Sequence, residues 1–289
     1  MAKHSSTNGD CVRIDSHQHY WRFNEQDYGW MGEDMAVIKR DFLPKNLLPE
    51  LQSIDFNGSV AVQARQIWEE TCWLLQLADE NPHIKGVVGW IDLCSANAEK
   101  QLQSFAAHPR AVGVRHVIHD EEDINFMLRP EFINGIKLLE KFGLAYDILI
   151  FPKHLPNTIQ FVKQFSPNQI FVLDHIAKPL IKAGTITPWK EQIEELAQFP
   201  NIYCKVSGMV TEANWKNWTP ENIKPYLDVI FKAFGPDRIM IGSDWPVCLV
   251  AGEYAKVMGV VTGYIANLSE HDRAKILGIN AINAYKIGL

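Results

Sequence analysis

The segment Val12-Arg13-Ile14-Asp15-Ser16-His17-Gln18-His19-Tyr20-Trp21-Arg22 decides the fold. It opens as a short apolar, β-branched run over residues 12–15 and then breaks into a turn carrying two histidines and two aromatics. A doubly wound nucleotide-binding sheet would place a glycine-rich G-x-G-x-x-G turn after its first strand. The turn from His17 to Arg22 contains no glycine.

Outward from this segment, similar runs recur at residues 60–64, 86–91, 112–117, 145–150, 170–173, 202–206 and 239–242. Such continuous apolar runs suit strands buried on both faces, as in a parallel sheet covered by helices. Amphipathic helical stretches lie between most of them, at 68–80, 97–107, 130–142, 158–165, 189–199 and 221–234. Their ends are punctuated by Pro130 at a helix start, Gly143 at a helix end, and Gly235-Pro236 as a stop. Strands alternating with helices imply a parallel sheet, and eight repeats imply closure into a single-domain (β/α)8 TIM barrel rather than an open sheet. Residues 1–10 are expected to form a disordered tail and residues 11–289 the barrel.

Composition narrows the function classes. The 289-residue chain is 47% hydrophobic and carries a net charge of −6, with no basic run to mark a nucleic-acid or anionic-membrane partner. A small-molecule substrate is expected, and a homo-oligomer is left open. Cys11, Cys72, Cys94, Cys204 and Cys248 show no C-x-x-C spacing, which argues against a disulfide framework and for a reducing compartment. The opening MAKHSSTNGD lacks an apolar leader, and no apolar run is long enough to span a bilayer, so a cytoplasmic protein is expected.

A barrel places its chemistry at the C-terminal ends of the strands. There the two-residue period of a strand sets His17 and His19 on one side, able to address one cation or one substrate atom. The alternative is a pair of ordinary buried histidines bonded to backbone. His175 follows the sixth run with Lys178 three residues on. Asp244 follows the eighth, where it can ligate a metal or hold a water as general base; its alternative is an Asx turn. Arg115, at the end of the fourth run, is costly in a barrel mouth unless it faces an anion or a developing negative charge, although a structural salt bridge is the other reading. His116, Gln63 and Arg65 offer further polar contacts, and Asp147 a partner for a histidine or a sugar hydroxyl. Among the aromatics near these ends (Tyr20, Trp21, Trp30, Trp68, Trp90 and Trp245), those in mouth loops, Trp21 and Trp245 among them, could stack on a sugar or lactone ring.

The ordered segments D-x-H-x-H (15–19), V-Q-A (62–64), G-V-R-H (113–116), D-H-x-x-K-P (174–179) and G-S-D-W-P (242–246) span nearly the whole chain. In this order they resemble the amidohydrolase superfamily, in its amidohydrolase-related branch of sugar and aromatic-acid lactonases, and above all the fuconolactonase and rhamnonolactonase types. The resemblance implies a hydrolase that opens a sugar lactone such as L-fuconolactone or L-rhamnonolactone to its acid. Asp244 would take a proton from water while Arg115, His175 or a bound cation stabilises the attacked carbonyl oxygen. His17, His19, His175 and Asp244 would be the ligands of one divalent metal, zinc, in a branch whose members work with one ion or with none. Two departures stand out: the fourth strand offers Arg115 and His116 where two-metal relatives have a bridging Lys or Glu, and Ala177 stands where relatives commonly have glycine.

The chemistry agrees with that implication, since lactone hydrolysis needs an activated water and a prepared oxyanion site. The modest supply of arginines at strand ends, with the aromatic platforms, favours a neutral sugar lactone over a dicarboxylate. A zinc-dependent decarboxylase of an aromatic or muconate-type acid is the alternative enzyme, and a non-catalytic sugar-binding barrel the alternative binder.

Overall fold

The computed structural model describes residues 12–288, so the expectation for the tail at 1–10 falls outside the described residues. Eight strands form one sheet in sequence order, every neighbouring pair parallel. They are β1 Ile14–Gln18, β2 Gly58–Val62, β3 Ile84–Gly89, β4 Ala111–His116, β5 Ala145–Ile148, β6 Phe171–Leu173, β7 Ile202–Val206 and β8 Ile239–Ile241. One α-helix follows each: α1 Pro44–Ser53, α2 Trp68–Glu80, α3 Ala98–Ala106, α4 Pro130–Phe142, α5 Leu155–Val162, α6 Trp189–Leu196, α7 Pro220–Phe234 and α8 Tyr254–Tyr264. This is the (β/α)8 barrel expected from the alternation. None of these helices is long and apolar enough to cross a membrane.

Two boundaries differ instructively from the sequence reading. The first strand runs on to Gln18, so His17 belongs to the strand itself. Helix α5 starts at Leu155 and stops at Val162, three residues earlier at both ends than its hydrophobic pattern suggests. Pro156 explains the start, because a proline in the first helical turn gives up an N–H that has no partner there.

Side chains stitch the first strand to the last. The Asp15 carboxylate accepts from Ser243 N (2.9 Å), Ser243 Oγ (2.6 Å) and the Tyr254 hydroxyl (3.1 Å), while Ser16 Oγ donates to the Ile241 carbonyl at 2.7 Å. Backbone bonds continue the seam upward, from Asp244 N to His17 O (2.9 Å) and from His19 N to Trp245 O (2.7 Å). The aspartate of D-x-H-x-H therefore closes the barrel, and the histidines beside it inherit a fixed position relative to β8.

Inside the barrel, Ile14, Val60, Val88, Val112, Val172 and Met240 form an apolar layer. The chain's last turns are α9 (Glu270–Ala274), a π-helical stretch Lys275–Ile279 and α10 (Asn280–Tyr285), and α10 packs against this layer through Ala281, Ala284 and Tyr285, closing the N-terminal end. Tyr285 reaches from that plug into the barrel, where its hydroxyl donates to Asp147 at 2.8 Å. The opposite end is left for polar groups.

Candidate active site

At the C-terminal ends of the strands opens a cavity of about 350 Å³, lined among others by His19, Arg115, His175, Lys178 and Asp244. Four of the residues singled out from sequence converge at its floor. Nε2 of His17 lies 3.2 Å from Nε2 of His19, and Oδ1 of Asp244 lies 3.4, 3.8 and 3.9 Å from Nε2 of His19, His175 and His17. His19 Nδ1 is 2.8 Å from the Val62 carbonyl, which can only accept, so that nitrogen carries the proton and Nε2 offers a lone pair to the centre. His175 Nδ1 is likewise committed, to Ser207 Oγ at 2.9 Å. Burial pushes His17 and His175 well below the ordinary histidine range, which favours their neutral forms. Burial works to raise Asp244, but His175 and His19 outweigh it and hold the carboxyl below its ordinary value. Imidazoles and an ionised carboxylate converging in this way are donors a divalent metal takes, and the ligand atoms of His17, His175 and Asp244 lie close enough together that they could hold one.

The backbone beneath two of these groups is unusual. His175, Ile176, Ala177 and Lys178 all have positive φ (51°, 49°, 60° and 48°), a left-handed turn with no glycine, and Asp244 has φ 59°. Each such residue costs roughly 1–2 kcal/mol. The turn is held by Trp189 Nε1 donating to the Ile176 carbonyl (2.8 Å) and by the Lys178–Glu212 ion pair (2.8 Å). It swings the His175 ring towards Asp244 and Lys178 into the cavity wall. It also accounts for Ala177: at φ 60° a glycine would sit without steric cost, and alanine holds the same turn with strain.

Gly208 makes room for this ring. It has φ 61°, and a Cβ there would lie 2.5 Å from His175 Nδ1 and 3.2 Å from Asp244 Oδ2. Gly208→Ala is therefore expected to displace the imidazole and cut turnover by about 10²-fold, the usual cost of misplacing a catalytic group by an ångström. Steady-state kinetics beside a thermal melt check this, since a loss of stability with full turnover would show the ring unmoved.

Arg115 is buried but faces the cavity. Its Nη1 contacts Asp174 Oδ2 (3.1 Å) and His17 Nε2 (3.3 Å), and its Nη2 donates to the Gln63 carbonyl. Both readings of the sequence thus meet in one side chain: a salt bridge fixes the guanidinium, and the fixed guanidinium faces the mouth. Above it, His119 stacks on Phe151 with centroids 4.6 Å apart. Burial, with Lys178 and Arg115 nearby, pushes His119 down to about 3.

Other expected contacts are not at the cavity. Gln63 is fully buried and supports Arg115 through its carbonyl. Arg65 pairs with Asp27 at 2.9 Å on the wall of a separate cleft. His116 turns outward, 2.6 Å from Glu121 and stacked on Phe126. Asp147 lies below the floor, bound to Lys205 and Tyr285. Trp245 packs edge-on against Phe42 at 5.1 Å, whereas Trp21 and Trp30 do line the mouth, joined by Trp215 from the loop after β7. For Arg65, His116 and Asp147 a charged internal partner captures the side chain.

The sequence reading passed over Asp174, Lys205 and Ser207. Asp174 is fully buried and, although burial would raise it, Lys205, His17 and Arg115 hold it well below the carboxylate range. A lysine inside the apolar run Ile202–Val206 was the available signal, because lysine is almost never fully buried unless paired.

A closed parallel barrel with this histidine and aspartate cluster at its mouth defines a class, and comparison with known proteins gives its family. Residues 14–287 match the amidohydrolase family Amidohydro_2, and the chain belongs to it. It is 36% identical over 288 residues to the L-fucono-1,5-lactonase of Burkholderia multivorans, covering 96% of this chain and 97% of that enzyme. It is 34% identical over 282 residues to the L-fucono-1,5-lactonase of Burkholderia ambifaria, covering 95% and 96% respectively. A crystal structure of an amidohydrolase from Burkholderia multivorans with bound zinc superposes with a TM-score of 0.92 at 36% identity, over 96% of this chain and 100% of that one.

Proposed function

We propose that this protein hydrolyses a sugar lactone of the fucono-1,5-lactone type to its aldonic acid. The observation that carries the reading is Asp244, an ionised carboxylate on the cavity floor with Arg115 on the same wall, together with full-length similarity to two fuconolactonases. Asp244 accepts a proton from a water as its oxygen attacks the lactone carbonyl. The carbonyl oxygen, becoming an oxyanion, faces the Arg115 guanidinium. The bond from that carbon to the ring oxygen breaks, and the proton held on Asp244 passes to the departing oxygen, which becomes a sugar hydroxyl. Trp30 and Trp215 offer ring faces at the mouth, and Lys178, Glu212 and neutral His119 offer hydrogen bonds to hydroxyls.

A divalent ion such as zinc would be held here by His17, His175 and Asp244, with His19 beside them, and would polarise the carbonyl or acidify the water. The test is a panel of aldonolactones read with a pH indicator, with metal content and chelation as a second axis. Acid release above the uncatalysed rate from L-fucono-1,5-lactone is the expected result. No acid from any lactone, or carbon dioxide from an aromatic acid, would overturn the reading.

A further inference from the structure

Below the cavity floor, Lys205 on β7 points into the barrel and is fully buried. Its Nζ lies 2.6 Å from Asp147 Oδ2, 3.1 Å from Asp174 Oδ1 and 3.1 Å from His17 Nδ1. Tyr285, rising from the terminal plug, closes the fourth side by donating to Asp147. The acceptors come from β5, from the end of β6 and from β1. Their ligand atoms all lie within 4.8 Å of one another, a spacing and donor set that could hold a metal ion. An ammonium stands among them instead.

This arrangement is expensive for a barrel interior. Burying a lysine and two carboxylates forfeits hydration that their mutual attraction only partly restores, and apolar side chains of equal volume are often as stable or more so. The layer immediately below is such an apolar layer, so the fold itself makes no demand for charge here. What the charged group does touch is His17. Nδ1 of that ring has Lys205 at 3.1 Å and Asp174 at 3.3 Å, while Nε2 faces His19 and Asp244.

We propose that Lys205 is a tethered cation occupying a three-ligand metal-type pocket, and that it is a positioning residue for His17. By holding Asp174 Oδ1, which accepts the Nδ1 proton of the ring, it leaves the imidazole the Nε2 lone pair to offer the mouth, and it confines the centre to a single ion. The inference rests on the hydrolase reading for its kinetic arm alone. Counting bound ions does not depend on what the enzyme hydrolyses.

The experiment uses the full chain, stripped of metal and titrated with zinc, with bound zinc per chain and lactone turnover both measured. Lys205→Ala vacates the pocket and is expected to bind one more equivalent of zinc than wild type, an equivalent that disappears when Asp147→Asn is added. Lys205→Met fills the space without a charge and is expected to bind no additional ion. In that variant kcat and zinc affinity at the mouth fall about 10- to 100-fold, the usual consequence of freeing a ligand's outer partner, while KM is unchanged. An unaltered zinc count in Lys205→Ala overturns the tethered cation, and wild-type kcat and zinc affinity in Lys205→Met overturn the positioning role. Should these chains fail to fold, Asp147→Asn alone takes the charge from the shortest lysine contact and leaves Asp174 to face both Lys205 and Arg115. Its kcat and zinc affinity are expected to fall in the same way, and wild-type values for both would equally defeat the proposal. If wild type opened no lactone, the zinc counts would still judge Lys205 while the functional reading failed separately.

Discussion

Asp244→Asn is expected to lower kcat by about 10³- to 10⁴-fold while leaving the fold intact, because an amide of the same shape cannot accept a proton from water. The left-handed backbone at this position, φ 59°, is one that asparagine tolerates well, and the bond from its N–H to the His17 carbonyl does not involve the side chain. Circular dichroism and a thermal melt should therefore match wild type while lactone turnover collapses. The pH profile gives a second check. His175 and His19 hold the carboxyl below its ordinary range, so the working form is the ionised one and persists through neutrality. Wild-type kcat/KM should decline only as pH falls below the usual carboxylate range, and the asparagine variant should show no such limb. Near-normal turnover in the variant would remove Asp244 from the reaction.

Arg115→Met is expected to cost about 10²- to 10³-fold in kcat, the size of effect seen when one donor to a developing oxyanion is removed. The guanidinium is already fixed before substrate arrives, by Asp174 on one side and the Gln63 carbonyl on the other, so it needs no reorganisation as charge appears. Arg115→Lys separates charge from geometry. A lysine keeps the positive charge but cannot hold Asp174 and the carbonyl with one rigid fork, so it should recover only part of the loss. If methionine at this position raised KM and left kcat alone, the arginine would be binding substrate and transition state equally, and its assignment to the oxyanion would fail.

The barrel was legible in the sequence because its strands are buried on both faces and so read as uninterrupted apolar runs; helices α2 and α4 coincide with their hydrophobic patterns to the residue. The cluster of His17, His19, His175 and Asp244 was legible for a related reason: each ends a run, and a barrel brings run ends together. Direction was harder to read. His116 and Arg65 also stand at strand ends, but they turn away from the cavity because Glu121 and Asp27 lie within reach. Those partners sit on loops whose course the sequence does not disclose. Asp147 and Lys205 were obscure in a different way, since each finds its charge partner on another strand and neither shows its purpose alone.

The seam between β1 and β8 has a consequence for how the protein comes to work at all. Asp15 and Ser243 are 228 residues apart in the chain, and the groups just above them, His17 and His19 on one side and Asp244 on the other, come together only once the two edges of the sheet have met. Contacts of such long sequence separation are the slow ones to form, because the loop they close must first be gathered up. Catalytic competence therefore reports completion of the ring. A nascent chain or a partly folded one has histidines without their aspartate, and regain of turnover during refolding should trail the recovery of helix signal, marking the moment at which the first strand finds the last.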